Sequence, residues 1–265
     1  VQTCALPICG LTYSMNKNKI ESLADNVINP ITGELFSIPS LDMGGYADLR
    51  FILREGGSMG DLYSRTDLRR DANGAIYMDE SNNVYTQKID NPDSYIKLGS
   101  VLPKGNLAWR NNFMWKNFHV GFMISARLGG VVFSRTQAVL DKFGVSEASA
   151  DARDNGFVLI NGNDRINPEN WYTTVGSTAV PQYYTYSATN VRLQEASIGY
   201  TIPRKWLANI CDIKVSLIGR NLWMIYNKAP FDPEAVASTD NFYQGIDNFM
   251  MPSLRNVGFS LNFKF

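Results

Sequence analysis

The sequence predicts an all-β fold of a particular kind, an antiparallel transmembrane β-barrel. Three observations predict it. First, the last twelve residues, Leu254 to Phe265, alternate: Val257, Phe259, Leu261, Phe263 and Phe265 fall on one face, and Asn256, Gly258, Ser260, Asn262 and Lys264 on the other. Side chains repeat every two residues along a strand, so one face is wholly apolar and the other polar. Second, two longer alternating runs meet at a very short turn near Asn117. Leu107, Trp109, Asn111, Phe113 and Trp115 share a face before it; Phe118, Val120, Phe122, Ile124, Ala126 and Leu128 share one after it. Each run has about the length that a tilted strand needs to cross a bilayer. Third, very short turns alternate with long polar loops, the asymmetry that outer-membrane barrels show between their two rims.

Composition agrees. Hydrophobic residues make up 45% of the 265, aromatics 12% and charged residues only 19%, with zero net charge. A neutral chain gives no reason to expect a nucleic-acid partner. No run approaches the roughly 18 apolar residues of a membrane helix, which excludes a helical membrane protein but not a barrel. Cys4, Cys9 and Cys211 form neither a disulfide framework nor a metal spacing. Residues 1–10, Val-Gln-Thr-Cys-Ala-Leu-Pro-Ile-Cys-Gly, carry no initiating Met and no basic signal region. They read as a non-native or unstructured leader, foreign sequence joined to a truncated gene. Residues 11–265 are then expected to be one unit, a C-terminal piece of a longer barrel.

Along that unit, Leu11, Tyr13 and Met15 alternate with polar neighbours and predict a strand. Residues 25–45 are rich in Asp, Asn, Pro and Gly and read as loop. Ala47, Leu49, Phe51 and Leu53 predict a second strand, with Asp61 to Thr66 as its partner. Asp71-Ala72-Asn73-Gly74 has half the look of a calcium loop, but the closing Glu is missing. A hairpin turn is the better reading, since Asn-Gly supplies positive φ at little cost. Asp90-Asn91-Pro92-Asp93 is another turn. After Gly130 comes a long irregular region to about Thr189, with a short helix expected over Thr136 to Phe143. Loops of that length are uncommon in compact domains and are usually functional. Asn190 to Tyr200 and Ile213 to Arg220 predict two more strands around a short turn near Trp206, and residues 229–251 form the last loop before the final strand.

Certain segments together resemble a known family. They are Ile96 to Pro103, Lys116 to Gly130, Thr189 to Glu195 with Gly199-Tyr200-Thr201-Ile202-Pro203, Gly219-Arg220-Asn221-Leu222-Trp223, and Phe231-Asp232-Pro233-Glu234. With the terminal Phe-x-Leu-x-Phe-x-Phe, their order and spacing resemble the C-terminal part of the SusC/RagA family of TonB-dependent outer-membrane transporters. The resemblance implies a large plugged barrel in the Gram-negative outer membrane, incomplete in this chain; such barrels have about 22 strands. It implies TonB-dependent import of oligosaccharides or peptides beneath a SusD-like surface lipoprotein. The implied partners are that lipoprotein, the TonB complex reached through an N-terminal part, outer-membrane lipid and the barrel assembly machinery. It implies no cofactor. The aromatic C-terminus, ending at Phe265, matches the signal such barrels present for assembly.

No enzyme constellation emerges. The one histidine, His119, sits on the polar face of a strand without a partner motif, and no Ser stands in a nucleophile elbow. Asp232 and Glu234 flank a Pro in one turn, whereas glycosidase carboxylates face each other across a cleft. Arg110, Arg127, Arg192 and Arg220 lie on polar strand faces, where pairing with carboxylates is the plainest role. Trp171, Tyr172, Tyr183, Tyr184 and Tyr186 in the long loop are the candidates for substrate or lid contact, against packing within the loop. The competing fold is a secreted β-sandwich that binds glycans. It requires the apolar faces of Phe259, Leu261 and Phe263 and of Phe118, Phe122 and Ile124 to meet in a dry core; a barrel requires them to face outward.

Overall fold

Period-two alternation becomes one antiparallel sheet of six strands in the computed structural model, which describes residues 6–176, 179–207, 210–238, 240 and 243–264. The strands are β1 (Leu6–Ser14), β2 (Gly105–Trp115), β3 (Phe118–Leu128), β4 (Asn190–Ile202), β5 (Asp212–Asn227) and β6 (Asn256–Lys264). Their order in the sheet is their order in the chain, and every neighbouring pair is antiparallel. This is the connectivity of an up-and-down barrel wall. The wall is not closed among the described residues: β1 and β6 are its two edges. Two connections on one rim are short, Lys116–Asn117 and residues 203–211. On the other rim three are long: the first loop (15–104), the second (129–189) and the third (228–255). Lys116 sits at φ 53°, the left-handed conformation that lets a two-residue turn close the hairpin.

The register aligns the apolar residues in rows. Phe118, Tyr200, Val215 and Leu261 stand side by side across β3 to β6, and Val120, Ile198, Leu217 and Phe259 form the next row. The opposite face carries His119, Gly199, Ser216 and Ser260, then Met123, Glu195, Arg220 and Asn256. A one-residue slip would exchange the faces, so the rows fix the register.

The apolar rows are uncovered. Val257 is 67% exposed, Phe259 77%, Leu217 54% and Ile198 53%. Among the described residues no second sheet packs on them, and the two faces that a sandwich would bring together lie side by side on one surface. The sandwich alternative is therefore overturned. A soluble fold would hide such rows; lipid covers them at no cost in a barrel.

The packed core lies elsewhere, in the loops. Leu49, Phe51, Leu62, Leu68, Val84 and Val101 come from the first loop; Phe133, Ile166, Trp171, Val175, Val180 and Tyr184 from the second; Ile246 from the third. All belong to one buried cluster, to which the wall strands contribute nothing. Its centre is the short strand Val131–Ser134, which pairs with Thr185–Ser187 on one side and in parallel with Ile246–Asp247 on the other. The first loop adds a four-stranded sheet, Ser40–Tyr46, Leu49–Arg54, Asp61–Ser64 and Ile96–Ser100.

Several expectations need correction. Residues 25–45 are not plain loop: Ala24–Ile28 pairs with Leu35–Ile38, and Ser40–Tyr46 joins the four-stranded sheet. These strands are short and their turn residues dominated the composition. Residues 1–10 are not wholly apart from the fold, since β1 begins at Leu6 and Leu6–Gly10 pair with Arg110–Met114. β5 runs on past Arg220 to Asn227. Among the described residues the second loop holds three α-helices rather than one short helix: α1 (Arg135–Lys142), α2 (Glu147–Asn155) and α3 (Pro168–Val175). Each has a side-chain cap, from Ser134, Ser146 and Asn167. Asp71-Ala72-Asn73-Gly74 is a turn: Asp71 Oδ1 accepts from the amides of Asn73 and Ala75, at 2.8 and 2.9 Å.

Candidate functional site

Two features distinguish the wall chemically: its outward apolar belt and the inward junction where the wall meets the loops. Aromatics gather at the short-turn end of the belt. Trp115 stacks on Phe118 with ring centres 6.3 Å apart, and Phe118 leans on Tyr200 at 4.8 Å. Trp206 and Phe263 are exposed at the same rim, and Lys116 lies over the Trp115 ring at 5.2 Å. Such amphipathic rings and snorkelling cations mark a membrane interface. Of the five residues expected to form the outward assembly signal, Val257, Phe259, Leu261 and Phe263 are exposed on this face. Phe265 lies outside the described residues.

The junction is built on β4 and β5. Between Leu193 and Glu195 the register shifts, because β5 carries an extra residue at Asn221–Leu222. Asn221 takes φ 52°, and Leu222 folds back over Gly219, where a Cβ would sit only 2.6 Å from a Leu222 methyl carbon. The motif Gly219-Arg220-Asn221-Leu222-Trp223 is thus a β-bulge whose Asn tolerates the left-handed conformation and whose Gly makes room for the Leu. Beyond the bulge, Arg192 is buried, 4% exposed. Its Nη2 donates to Asp232 Oδ1 at 2.9 Å and lies 3.4 Å from Glu234 Oε2. Its Nε donates to Asn190 Oδ1 at 3.3 Å, and Asn190 Nδ2 donates to Glu234 Oε1 at 3.1 Å.

Asp232-Pro233-Glu234 is therefore a clamp that fastens the third loop to β4. Burial alone would raise the Asp232 pKa. Hydrogen bonds from Ser253, the Glu234 amide and the Arg192 guanidinium outweigh it and hold the carboxyl below its ordinary value. Beside the clamp is a cleft of about 360 Å³ lined by Arg192, Asn221, Trp223, Asn227, Phe231 and Arg255. The sequence placed Arg192 and Asp232 in separate roles; their proximity in three dimensions is what it concealed.

The other candidates separate. Arg220 lies 3.4 Å from Glu195, both partly exposed. Arg127 Nη2 donates to the Val101 carbonyl at 2.8 Å, tying β3 to the first loop. Arg110 is exposed and, among the described residues, hydrogen-bonds only to the Met123 sulfur, at 4.0 Å. His119 Nε2 lies 2.9 Å from Thr201 Oγ1 on the inward face. Trp171 and Tyr184 are buried in the shared loop core, and Tyr172 and Tyr186 pack against it. Tyr186 meets Phe231 edge-on at 5.7 Å, and the Tyr172 hydroxyl donates to the Ala148 carbonyl at 3.1 Å. Tyr183 alone of the five is open, 37% exposed, with its ring against Trp171 at 5.4 Å. Burial pushes the Tyr184 hydroxyl far above its usual pKa, helped by Asp141. Among the described residues no group of three or more His, Cys, Asp or Glu is arranged to hold a metal ion.

Comparison with known proteins fits this geometry. The chain is 26% identical over 282 aligned positions to TonB-dependent receptor P3 of Formosa agariphila, covering 96% of this chain. The chain is similar to a TonB-dependent receptor. It also superposes on the RagAB peptide transporter with TM-score 0.60 at 15% identity, and on the RagAB peptide importer in its open-open and closed-closed states with TM-scores 0.58 and 0.55, both at 14%. Each of these superpositions covers 98% of this chain, so the fold is that of part of a barrel of this type. The chain spans about a quarter of the relatives' length, 26% of the receptor and 27% of the solved chains. No family model matches.

Proposed function

We propose that this chain is the C-terminal wall and external loops of a TonB-dependent importer in the outer membrane of a Gram-negative cell. One observation carries the reading. A six-stranded sheet leaves its apolar face wholly uncovered while all tight packing is gathered in loops at one rim. Water would penalise that arrangement and a bilayer rewards it. The open edges at β1 and β6 call for further strands, because unpaired backbone groups are not tolerated in lipid. Import, not catalysis, is the work of such a wall, driven through TonB from another part of the protein.

The cargo is a nutrient such as a peptide or an oligosaccharide, and a SusD-like lipoprotein is the partner that covers the loop rim. The exposure of Tyr183, 37%, supports it as the candidate aromatic that touches either. The likeness to a peptide transporter supports this reading through the fold alone. The test uses the complete protein in its host. It fractionates with the outer membrane, migrates as a heat-modifiable band, and its deletion abolishes growth on one class of polymer or peptide in a TonB-dependent manner. Recovery of the complete protein in the soluble fraction would overturn the proposal.

A further inference from the structure

The belt has a measurable height, and a basic cavity sits on its upper edge. Outward residues on β3 run from Phe118 to Leu128. Ten steps of about 3.3 Å, tilted by about 40°, rise roughly 25 Å, the height of the apolar band of outer-membrane barrels. The row at the loop end is Gly105 and Leu128, with Met15 continuing the parity of Leu11 and Tyr13. Immediately beyond it opens a cavity of about 370 Å³, whose lining includes Met15, Lys17, Asn18, Ser58, Leu102 and Lys104.

Its chemistry is specific. The lining contains two ammonium groups and no carboxylate. Among the described residues neither Lys17 nor Lys104 forms an ion pair. The walls are held in place. Asn18 Oδ1 accepts from Ser58 Oγ at 2.8 Å and from the Met59 amide at 3.2 Å. The Lys104 stem crosses Gly129, where a Cβ would lie 2.9 Å from its Cγ, so the glycine keeps that path open. The Tyr13 ring lies over Gly105 in the same way. Below the cavity Met15, Tyr13 and Leu11 present exposed apolar surface, 65%, 55% and 68%.

We propose that this cavity binds the phosphate of an anionic lipid of the outer leaflet, between Lys17 and Lys104, with an acyl chain descending over Met15, Tyr13 and Leu11. Two unpaired cations at the interface, amide and hydroxyl groups beside them and a greasy slope beneath match that amphiphile; a free phosphate would use the cations but not the slope. The inference rests on the barrel reading above, and fractionation tests that reading separately.

The experiment uses the complete protein in neutral detergent, titrated with phosphatidylglycerol as a soluble stand-in for the phosphorylated acyl lipids of the outer leaflet, and with phosphatidylcholine and inorganic phosphate, with bound species counted by native mass spectrometry. Phosphatidylglycerol is expected to bind in preference to phosphatidylcholine. A Lys17→Gln/Lys104→Gln variant is expected to lose about thirty-fold in phosphatidylglycerol affinity, from about one kcal/mol for each interfacial cation. Lys17→Arg/Lys104→Arg retains binding, and Lys88→Gln/Lys228→Gln, distant from the cavity, changes nothing. Both lysines are exposed, so the Gln variant folds, which its heat-modifiable band verifies. Unchanged phosphatidylglycerol binding in that variant overturns the proposal. So does an equal loss for phosphatidylcholine, or inorganic phosphate binding that matches the lipid's.

Discussion

Replacing Phe133 by Ala tests whether the three long loops are one mechanical body. Phe133 is fully buried in the strand Val131–Ser134, its amide donating to the Gly245 carbonyl at 2.8 Å. The cluster around it draws on the first, second and third loops at once. Val131, two residues away, lies over Gly99, where a Cβ would come within 2.8 Å, and the Gly245 position is closed by Val101 at 2.6 Å. Phe→Ala in such a core costs about 3–5 kcal/mol, the transfer term plus the cavity left behind. At about 1.4 kcal/mol per tenfold, the open state of the loop body gains roughly a hundred- to a few-thousand-fold in population. Hydrogen exchange on the complete protein in detergent reads that population directly. Protection is expected to fall in residues 49–64, 131–134, 180–187 and 246–247 together, while β3 to β6 keep theirs. Phe143→Ala, at a position 71% exposed, serves as the control and leaves all of it unchanged. If deprotection stays within residues 129–189, the loops move independently and the shared-core argument fails.

Three further outcomes follow from the wall and its junction. Val257→Arg, on the outward face near mid-belt, is expected to destabilise the complete barrel by about 2–4 kcal/mol and lower its assembled yield, whereas Ser260→Arg on the inward face is tolerated; urea unfolding in lipid vesicles distinguishes them. Asp232→Ala leaves the buried Arg192 guanidinium without its shorter partner and is expected to cost about 3–5 kcal/mol, while Arg192→Met/Asp232→Leu together cost much less; a double-mutant cycle on loop exchange rates measures this. The Asp232 carboxyl is held below the ordinary carboxylate pKa of about 3.9, so its contribution is fully present above that pH and disappears as pH falls through the lowered value. Protection factors in residues 228–255, with the intrinsic pH dependence of amide exchange divided out, should therefore fall only in strong acid and stay flat from pH 5 to 8.

The wall was legible in the sequence because a single rule writes it. Each strand buries one face in lipid and wets the other, so alternation survives without help from distant residues, and β2, β3 and β6 could be read within a residue or two. The bulge at Asn221–Leu222 hid half of β5, because Leu222, Trp223 and Met224 are apolar in succession and blur the visible alternation, although Trp223 keeps the odd-numbered parity of Val215 and Leu217. The loops obey no such rule. Their strands are two to seven residues long, and their helices start at Ser and Asn caps that also serve as turn residues. For Trp171 and Tyr184 the sequence left contact with a substrate or lid open against packing within the loop, and both lie in the buried cluster, since burial in a loop body is decided by segments about a hundred residues away.

That division has a physical consequence for how such a protein diversifies. The wall's stability derives from lipid and from backbone pairing, so its sequence needs only to keep the alternation. The loop body derives its stability from its own packed core, centred on Phe133 and Ile246, and from the Arg192–Asp232 clamp that fastens it to β4. Surface positions such as Tyr183, Phe143 and Tyr85 carry little of that packing, being 37%, 71% and 45% exposed. They can change without disturbing either the wall or the core. Changes in the strand Val131–Ser134 cannot be confined in that way, because Phe133 packs three loops together, and a change at the clamp releases the third loop from β4.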